Sequence, residues 1–273
     1  PNANPIGKLM LVQLEENKIE RLLKLVHNVG GSGIVYVRNR RKTEEITQVL
    51  QHKNILAKAY HAGLKYDDRQ SIQNDWLNNK IQVICATNAF GMGIDKPDVR
   101  FVIHHDIPKS LEGYYQETGR AARDGLEGRC CVFYSYKDIE KLEKFMKGKP
   151  VAEQEIGKQL LLDTVGYAET SICRRRVLLH YFGEKYDQDN CGSCDNCVHP
   201  KQMIEEQEEV ALRLEKVKAV KEKHQADHVV NVLIGKADQP VKTYKHDQLE
   251  VFGEGVDHDE RYWTALIRQA LLA

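Results

Sequence analysis

The sequence lacks net charge, long apolar runs and a signal peptide. Its 273 residues carry 40 Lys+Arg and 40 Asp+Glu, so net charge favours neither nucleic acid nor a membrane surface as partner. No apolar run approaches the ~18 residues of a membrane span, and residues 1–5 (PNANP) do not begin a signal peptide. These absences exclude a membrane protein. We expect a cytoplasmic protein with no membrane partner.

An initiator Met is also missing, and the chain opens abruptly at Pro1. We therefore expect a piece of a longer protein. An apolar share of 41% with 29% charged residues excludes a disordered chain. The zero net charge hides an asymmetry, because residues 1–150 carry 24 basic and 18 acidic side chains, whereas residues 151–273 carry 16 and 22. A basic first half is therefore offset by an acidic second half.

The first half alternates short apolar runs with longer segments of helical period. The runs are rich in β-branched residues, which is typical of strands buried on both faces of a sheet. They lie at residues 33–37, 57–61, 81–86, 100–104 and 130–134. Five such strands with intervening helices predict an α/β fold with a doubly wound parallel sheet.

The second half loses the strand pattern. Residues 151–182 have helical period, and residues 184–200 are polar and rich in cysteine. Residues 205–223 form a charged segment, and its acidic window 205–209 indicates a solvated helix start or linker more than a binding tail. Helical runs follow at residues 229–234 and 261–272.

Four of the seven cysteines are spaced as ligands of one metal ion. Two residues separate Cys191 from Cys194 and Cys194 from Cys197, and 17 residues separate Cys173 from Cys191. The short spacing lets thiolates turn onto one ion at about 2.3 Å, and a thiolate from a distant helix completes a tetrahedron. A disulfide pair is the alternative, which a reducing compartment disfavours. Because four cysteines leave no vacant position for substrate, we expect a structural zinc.

Arginines mark two further segments. In residues 114–125 (YYQETGRAARDG), a helix would point Gln116, Arg120 and Arg123 from one face. Guanidinium groups on a rigid helix suit a phosphate group, because they are permanently charged and forked. Surface ion pairs are the alternative that spacing leaves open. Residues 174–176 (RRR), after the first cysteine of the cluster, either contact phosphate or cap and solvate a helix.

A glycine-containing loop follows the third predicted strand, where α/β proteins place ligand loops. In residues 86–100 (ATNAFGMGIDKPDVR), Gly91 and Gly93 permit close backbone approach, and Asp95 is suited to accept a hydrogen bond from a sugar hydroxyl. A lone Gly-x-Gly is weak evidence. Together with residues 114–125, however, the loop resembles motifs V and VI of superfamily 2 helicases, and more narrowly those of the RecQ family of DNA helicases.

The resemblance covers nearly the whole chain. Residues 36–40 (YVRNR) resemble motif IV, and residues 59–64 (AYHAGL) resemble the next conserved block. The cysteine cluster with residues 170–175 (TSICRR) resembles the RecQ zinc-binding subdomain. Residues 244–247 (YKHD) and 251–269 resemble the winged-helix domain of the family.

The sequence departs from the family pattern in two ways. The family usually has Gly at the position of Ala122, and we expect the added methyl to be tolerated on a helix, with slight crowding of the nucleotide side. Neither Gly-x-x-x-x-Gly-Lys-Ser/Thr nor Asp-Glu-x-His occurs in the chain. In such helicases these motifs belong to the first RecA-like domain. The resemblance thus implies a second motor lobe that does not hydrolyse ATP alone.

The resemblance implies three domains. They are a second RecA-like domain with the P-loop NTPase fold over residues 1–149, a helical RecQ-type zinc-binding domain over residues 150–204, and a partial winged-helix (RQC) domain over residues 205–273. Family members continue into a wing hairpin that helps to separate duplex strands. We expect this hairpin to be missing and duplex binding to be weaker for that reason.

The resemblance also implies an activity, that of an ATP-dependent 3′→5′ DNA helicase in repair and recombination. ATP, with Mg²⁺, would lie between this lobe and the first RecA-like domain. Its implied contacts are Gly93, Asp95, Arg120 and Arg123. Arg123 would be the arginine finger on the γ-phosphate, supported by Arg120 and Gln116.

Single-stranded and forked duplex DNA are the implied partners. By the resemblance, Arg40, His61 and Thr87 lie on the DNA side and contact mainly the backbone, because a translocase accepts any sequence. Loop structure or strand capping is the alternative for all three. Arg174 and Arg175 are predicted as further DNA contacts. In a bacterium the protein would associate with the nucleoid.

Two rival functions remain open. One is the motor half of an RNA helicase, whose motif VI is similar but which normally lacks the cysteine cluster. The other is a non-enzymatic zinc and winged-helix DNA-binding regulator, which leaves Gln116, Arg120 and Arg123 without a role.

Overall fold

The protein divides into two compact units, residues 1–200 and residues 201–273. The computed structural model describes residues 8–13, 17–91, 94–135, 138–139, 142, 148, 150–200, 226–260, 262–264 and 266–267. No helix within these ranges is long and apolar enough to cross a membrane. The predicted domain limits at residues 149/150 and 204/205 stay predictions.

A six-stranded parallel sheet forms the centre of the first unit, in the order β1-β6-β5-β2-β4-β3. The strands are β1 (Lys8–Gln13), β2 (Ser32–Tyr36), β3 (Ala57–Tyr60), β4 (Val83–Ala86), β5 (Val99–His104) and β6 (Arg129–Tyr134). The five predicted strands are all present. The sequence did not predict β1, because its short run of Leu, Met, Leu and Val suits a helix as well as a strand.

Helices cover both faces of this sheet, which confirms the doubly wound prediction. On one face lie α1 (Lys18–Val29) and α2 (Arg40–Gln51), and on the other lie α3 (Tyr66–Leu77) and α4 (Leu111–Thr118). Side chains alternate between the faces, so in β2 Ile34 packs under α3 and α4, whereas Val35 packs under α1 and α2. Since both faces are covered, the strands read as continuous apolar runs.

The helices α5 (Val151–Glu169), α6 (Arg174–Tyr181) and α7 (Asp195–Val198) follow the sheet. The helical period predicted over residues 151–182 is confirmed for α5 and α6, which a non-helical segment at residues 170–173 separates. Buried residues of this region belong to the same core cluster as α3 and α4. They are Tyr167, Cys173, Leu178 and Cys194. The cysteine-rich region thus shares its core with the sheet.

The second unit contains α8 (Ala226–Leu233), α9 (Gln239–Thr243) and a 3₁₀ turn (His246–Gln248). Its small core includes Trp263, which packs with Val230 and donates a hydrogen bond from Nε1 to the carbonyl of Gly255 at 2.7 Å. The helical run predicted over residues 229–234 is confirmed as part of α8. The charged segment 205–223 and part of the run 261–272 lie outside the described residues.

Helix α4 ends earlier than the sequence predicted. Its last residue is Thr118, and residues 119–124 form turns. Gln116 therefore lies on the helix, whereas Arg120 and Arg123 follow it. The prediction that these three side chains share one helical face is wrong, because Arg120 and Arg123 lie in turns, where side chains do not follow helical spacing.

Ala122 lies in one of these turns with a left-handed φ of 57° and is almost fully buried. The expectation that its methyl sits on a helix is therefore wrong. A left-handed conformation brings Cβ close to the following carbonyl oxygen and costs about 1–2 kcal/mol for a residue other than glycine. Glycine, which the resemblance predicts at this position, adopts this conformation without that cost.

We expect Ala122→Gly to raise the free energy of unfolding by up to about 1 kcal/mol, since relief of the strain outweighs the added chain entropy of glycine. The matched control is Ala121→Gly, because Ala121 is equally buried and its φ is not left-handed. This control should lose at least about 0.5–1 kcal/mol. Urea titration measures both effects, and equal destabilisation by the two substitutions would contradict the assignment of strain to Ala122.

Candidate nucleotide site and metal centre

Arg123 lies at the surface and pairs with Asp95. Its Nη1 is 2.8 Å from Asp95 Oδ1, and its Nε donates to the carbonyl of Gly119 at 3.1 Å. The Arg123 side chain is 38% exposed and that of Asp95 is 81% exposed. An ion pair in such surroundings contributes only about 0–1 kcal/mol. A phosphate group can therefore take the place of Asp95 at little cost.

Arg120 is half-buried and lies over Gly91. A Cβ added to Gly91 would be only 2.4 Å from Arg120 Nη2, so a side chain at residue 91 would displace the guanidinium. Arg120 Nε is buried and has no hydrogen-bond partner among the described residues. Because a buried N–H without a partner is unfavourable, this guanidinium is well suited to an anionic ligand.

The loop after β4 therefore contacts both arginines, Arg120 through Gly91 and Arg123 through Asp95. Gln116 is exposed on the last turn of α4, one helical turn before Arg120. Gly93, which was predicted at the same site, lies outside the described residues. The arrangement can hold a phosphate between the turn after α4 and the loop after β4.

Sequence reasoning missed Lys96, a buried cation in this loop. Its side chain is 3% exposed, and its Nζ lies 2.8 Å from Asn79 Oδ1 and 3.0 Å from Asp98 Oδ1. The ammonium also lies over the Trp76 ring, 5.5 Å from its centroid. Lys96 thus anchors the loop that carries Asp95 to the end of α3. A lysine beside aspartates in a polar loop carries no pattern that predicts such burial.

The residues predicted on the DNA side follow neighbouring strands at one edge of the sheet. Arg40 begins α2 after β2, His61 follows β3 and Thr87 follows β4. Arg40 is exposed, Thr87 is half-buried and His61 is buried. A Cβ on Gly63 would lie 2.9 Å from Arg40 Nη1 and 3.1 Å from His61 Nδ1, so these two side chains meet there. Only Arg40 of this pair offers an exposed charge.

Arg174 is buried, which corrects the prediction that it contacts DNA. Its Nε and Nη2 donate to the two carboxylate oxygens of Asp195 at 2.5 and 3.0 Å, and its Nη1 donates to the carbonyl of Tyr167 at 2.7 Å. The guanidinium is thus enclosed and joins the start of α6 to α7. Breaking one side of such a buried pair costs about 3–5 kcal/mol. Arg175 is half-buried, and its contact with DNA stays a prediction.

The four predicted cysteine ligands converge. Their Sγ atoms all lie within 4.8 Å of one another, with Cys191 and Cys197 3.9 Å apart. Ligands about 2.3 Å from a tetrahedral zinc are about 3.8 Å apart, which this spacing fits. All four are free thiols, so the disulfide alternative is wrong. Cys173 and Cys194 are buried, whereas Cys191 and Cys197 are half-buried.

The thiols of the cluster differ in how readily they lose a proton. Burial opposes ionisation of Cys191, but the hydroxyl and backbone N–H of Ser193 and the backbone N–H of Cys194 outweigh it and lower the pKa of Cys191 to about 6. Burial raises the pKa of Cys194 to about 12. A cation must therefore displace protons to bind all four sulfurs, as is usual for thiolate sites.

Three protein families match successive parts of the chain. They are the helicase conserved C-terminal domain over residues 17–125, the RecQ zinc-binding family over residues 136–198 and the RQC domain over residues 200–273. A motor half of an RNA helicase does not account for the second and third matches. A zinc and winged-helix regulator does not account for the first.

Curated relatives agree with these matches. The ATP-dependent DNA helicase RecQ of Pasteurella multocida is 40% identical over 243 residues, which cover 89% of this chain and 38% of that protein. RecQ of Haemophilus influenzae is also 40% identical, over 89% of this chain and 39% of that protein. The RecQ-like DNA helicase blm-1 of Caenorhabditis elegans is 45% identical over 66% of this chain and 19% of that protein.

The chain thus spans less than two fifths of the length of these relatives. The three family matches together include the motif residues and the cysteine cluster. The chain belongs to the RecQ family, of which it carries the helicase C-terminal, zinc-binding and RQC domains.

Proposed function

We propose that the protein containing this chain is an ATP-dependent DNA helicase in which this chain supplies the second half of the ATP site. The observation that carries the proposal is the contact of one loop with two arginines, Asp95 with Arg123 and Gly91 with Arg120. Two guanidinium groups held at one loop suit the phosphates of a nucleotide bound against a P-loop lobe. Repair and recombination are the processes that the family resemblance implies.

Arg123 acts as the arginine finger in this proposal. Its exposed pair with Asp95 is weak, so Arg123 exchanges that carboxylate for the γ-phosphate and stabilises the charge that develops in the transition state. Such a residue contributes a rate factor of roughly 10³–10⁵. The released Asp95 is then placed to accept a hydrogen bond from a sugar hydroxyl.

Arg120 and Gln116 have supporting roles. Arg120 is held over Gly91 and contributes a fixed positive charge with one unused donor. Gln116, on the last turn of α4, orients groups beside the phosphate. Mg²⁺, when bound, neutralises phosphate charge in such sites.

Arg40 and Thr87 contact the backbone of single-stranded DNA at the edge where β2 and β4 end. His61 supports Arg40 from inside the turn at Gly63. Closure of the two lobes on ATP, and opening after hydrolysis, would move this edge along the strand in the 3′→5′ direction. Contact with the backbone keeps the movement independent of sequence. The RQC domain over residues 205–273 engages the forked duplex in this proposal.

We assign the cysteine cluster to a structural zinc, held by Cys173, Cys191, Cys194 and Cys197. Four sulfurs that converge within 4.8 Å of one another support zinc over harder cations. The metal would fix the segment between α6 and α7, which contains few apolar residues. The zinc-binding domain is proposed over residues 150–204.

The arginine finger is tested with Arg123→Ala in the full-length protein. We expect DNA-stimulated kcat for ATP to fall at least about 10³-fold, with the Kd for a single-stranded oligonucleotide within about twofold of wild type. The matched control is Arg176→Ala, because Arg176 is an exposed arginine that pairs with Asp189 away from the loop after β4. Near-normal turnover by the Arg123 variant would refute the finger assignment.

Removal of the metal tests the zinc assignment. We expect elemental analysis to find one zinc ion per chain and chelation to increase hydrogen exchange in residues 170–200 more than in β2. Affinity should weaken as pH falls, because protons compete for the thiolates. Cys191→Ser should lose the metal, whereas Cys131→Ala, at a buried cysteine outside the cluster, should retain it. Purified protein without zinc would contradict the assignment.

A further inference from the structure

A buried histidine and glutamate join the sheet to the end of α4. His104 Nε2 lies 2.6 Å from Glu117 Oε2, and the two side chains are 2% and 16% exposed. His104 is the last residue of β5. Glu117 lies on the last turn of α4, next to Gln116 and three residues before Arg120. A shift of the imidazole therefore moves the end of α4, which positions Arg120 and Arg123, the proposed ATP contacts.

Two tyrosines hold the imidazole in place. The His104 ring stacks on Tyr36 with centroids 5.2 Å apart and planes 21° apart, and it lies 5.2 Å from the ring of Tyr114. Tyr36 is on β2 and Tyr114 is on α4. Since a ring held on two sides has little room to rotate, movement of Tyr36 carries His104 with it.

Tyr36 also reaches the loop after β4. Its hydroxyl donates to the carbonyl of Phe90 at 3.1 Å, and Phe90 precedes Gly91, over which Arg120 lies. Burial and then the negative charge of Glu117 raise the pKa of this hydroxyl, which keeps it a neutral donor. Tyr36 and His104 thus contact both structures that position Arg120, the loop after β4 and the end of α4.

A cavity of about 300 Å³ lies beside Tyr36 and His104, at the carboxyl ends of β2 and β5. Its lining includes Tyr36, Arg38, Asn88, His104, Ser110 and Glu117. Arg38 and Asn88 are close in sequence to Arg40 and Thr87, the proposed DNA contacts. Arg38 Nη2 is buried without a hydrogen-bond partner among the described residues, so it is a donor suited to a phosphate.

We propose that His104 and Glu117 are positioning residues that transmit DNA binding at this cavity to the arginines of the ATP site. A DNA phosphate that binds Arg38 displaces Tyr36 and His104, which line the cavity. Because His104 contacts Glu117, this displacement shifts the end of α4. The inference rests on the proposed function and adds to it the route by which DNA stimulates ATP hydrolysis. Neither residue is among those that the resemblance implies for ATP or DNA binding.

The test uses His104→Phe, Glu117→Ala and the double variant in the full-length protein. Phenylalanine keeps the ring between the tyrosines and removes only the hydrogen bond to Glu117. We expect each single substitution to lower DNA-stimulated kcat about 10-fold. The ATPase rate without DNA, the KM for ATP and the Kd for single-stranded DNA should stay within about twofold. The double variant should match the single variants, because all three break the same link.

The control is Tyr114→Phe, which removes a buried hydroxyl from the same helix and leaves the ring against His104. It should keep the factor by which DNA stimulates ATP hydrolysis within about twofold of wild type. Equal loss with and without DNA would overturn the inference, because the pair would then only hold α4 in place. Unchanged stimulation in both single variants would also overturn it. A wild-type protein without DNA-stimulated ATPase would instead refute the proposed function itself.

Discussion

The arrangement of the functional residues depends on one constraint, that neighbouring parallel strands end at the same edge of a sheet. The central order β5-β2-β4 brings together the segments that follow these three strands. Arg38 and Arg40 follow β2 at this edge, and the loop with Asp95 follows β4. The segment that leads to α4 follows β5. Because helices cover both faces, the edge is where polar side chains can meet a ligand without disturbing the core.

The zinc-binding region depends on that same core. Tyr167, Leu178 and Cys194 pack in the cluster that also contains α3 and α4, so the cysteine-rich segment is built onto the sheet domain. Arg174 and Asp195 add a buried ion pair beside Cys173 and Cys194 of the cysteine cluster. The ion pair and the proposed zinc would thus stabilise the same short segment, which contains few apolar side chains.

The two motif VI arginines differ in environment, and the difference follows from the end of α4. The turn after Thr118 buries Arg120 partly against Gly91 and leaves Arg123 at the surface with Asp95. The same turn holds Ala122 in a left-handed conformation. Local strain beside a candidate site is expected where surrounding contacts specify an unfavourable backbone geometry. The end of α4 is therefore shaped by its contacts and not by helix propensity.

Features that depend on local pattern could be predicted from the sequence. Apolar runs predicted five of the six strands, and the spacing of four cysteines predicted a metal site whose sulfurs converge. Burial and pairing between distant residues, in contrast, become visible in the fold alone. The fold buries Arg174 beside Asp195, 21 residues away in the chain, and brings His104 at the end of β5 into contact with Glu117 on α4. The identity of an arginine or a histidine does not reveal whether its side chain is buried or exposed. Its solvation and its partners are set by long-range packing.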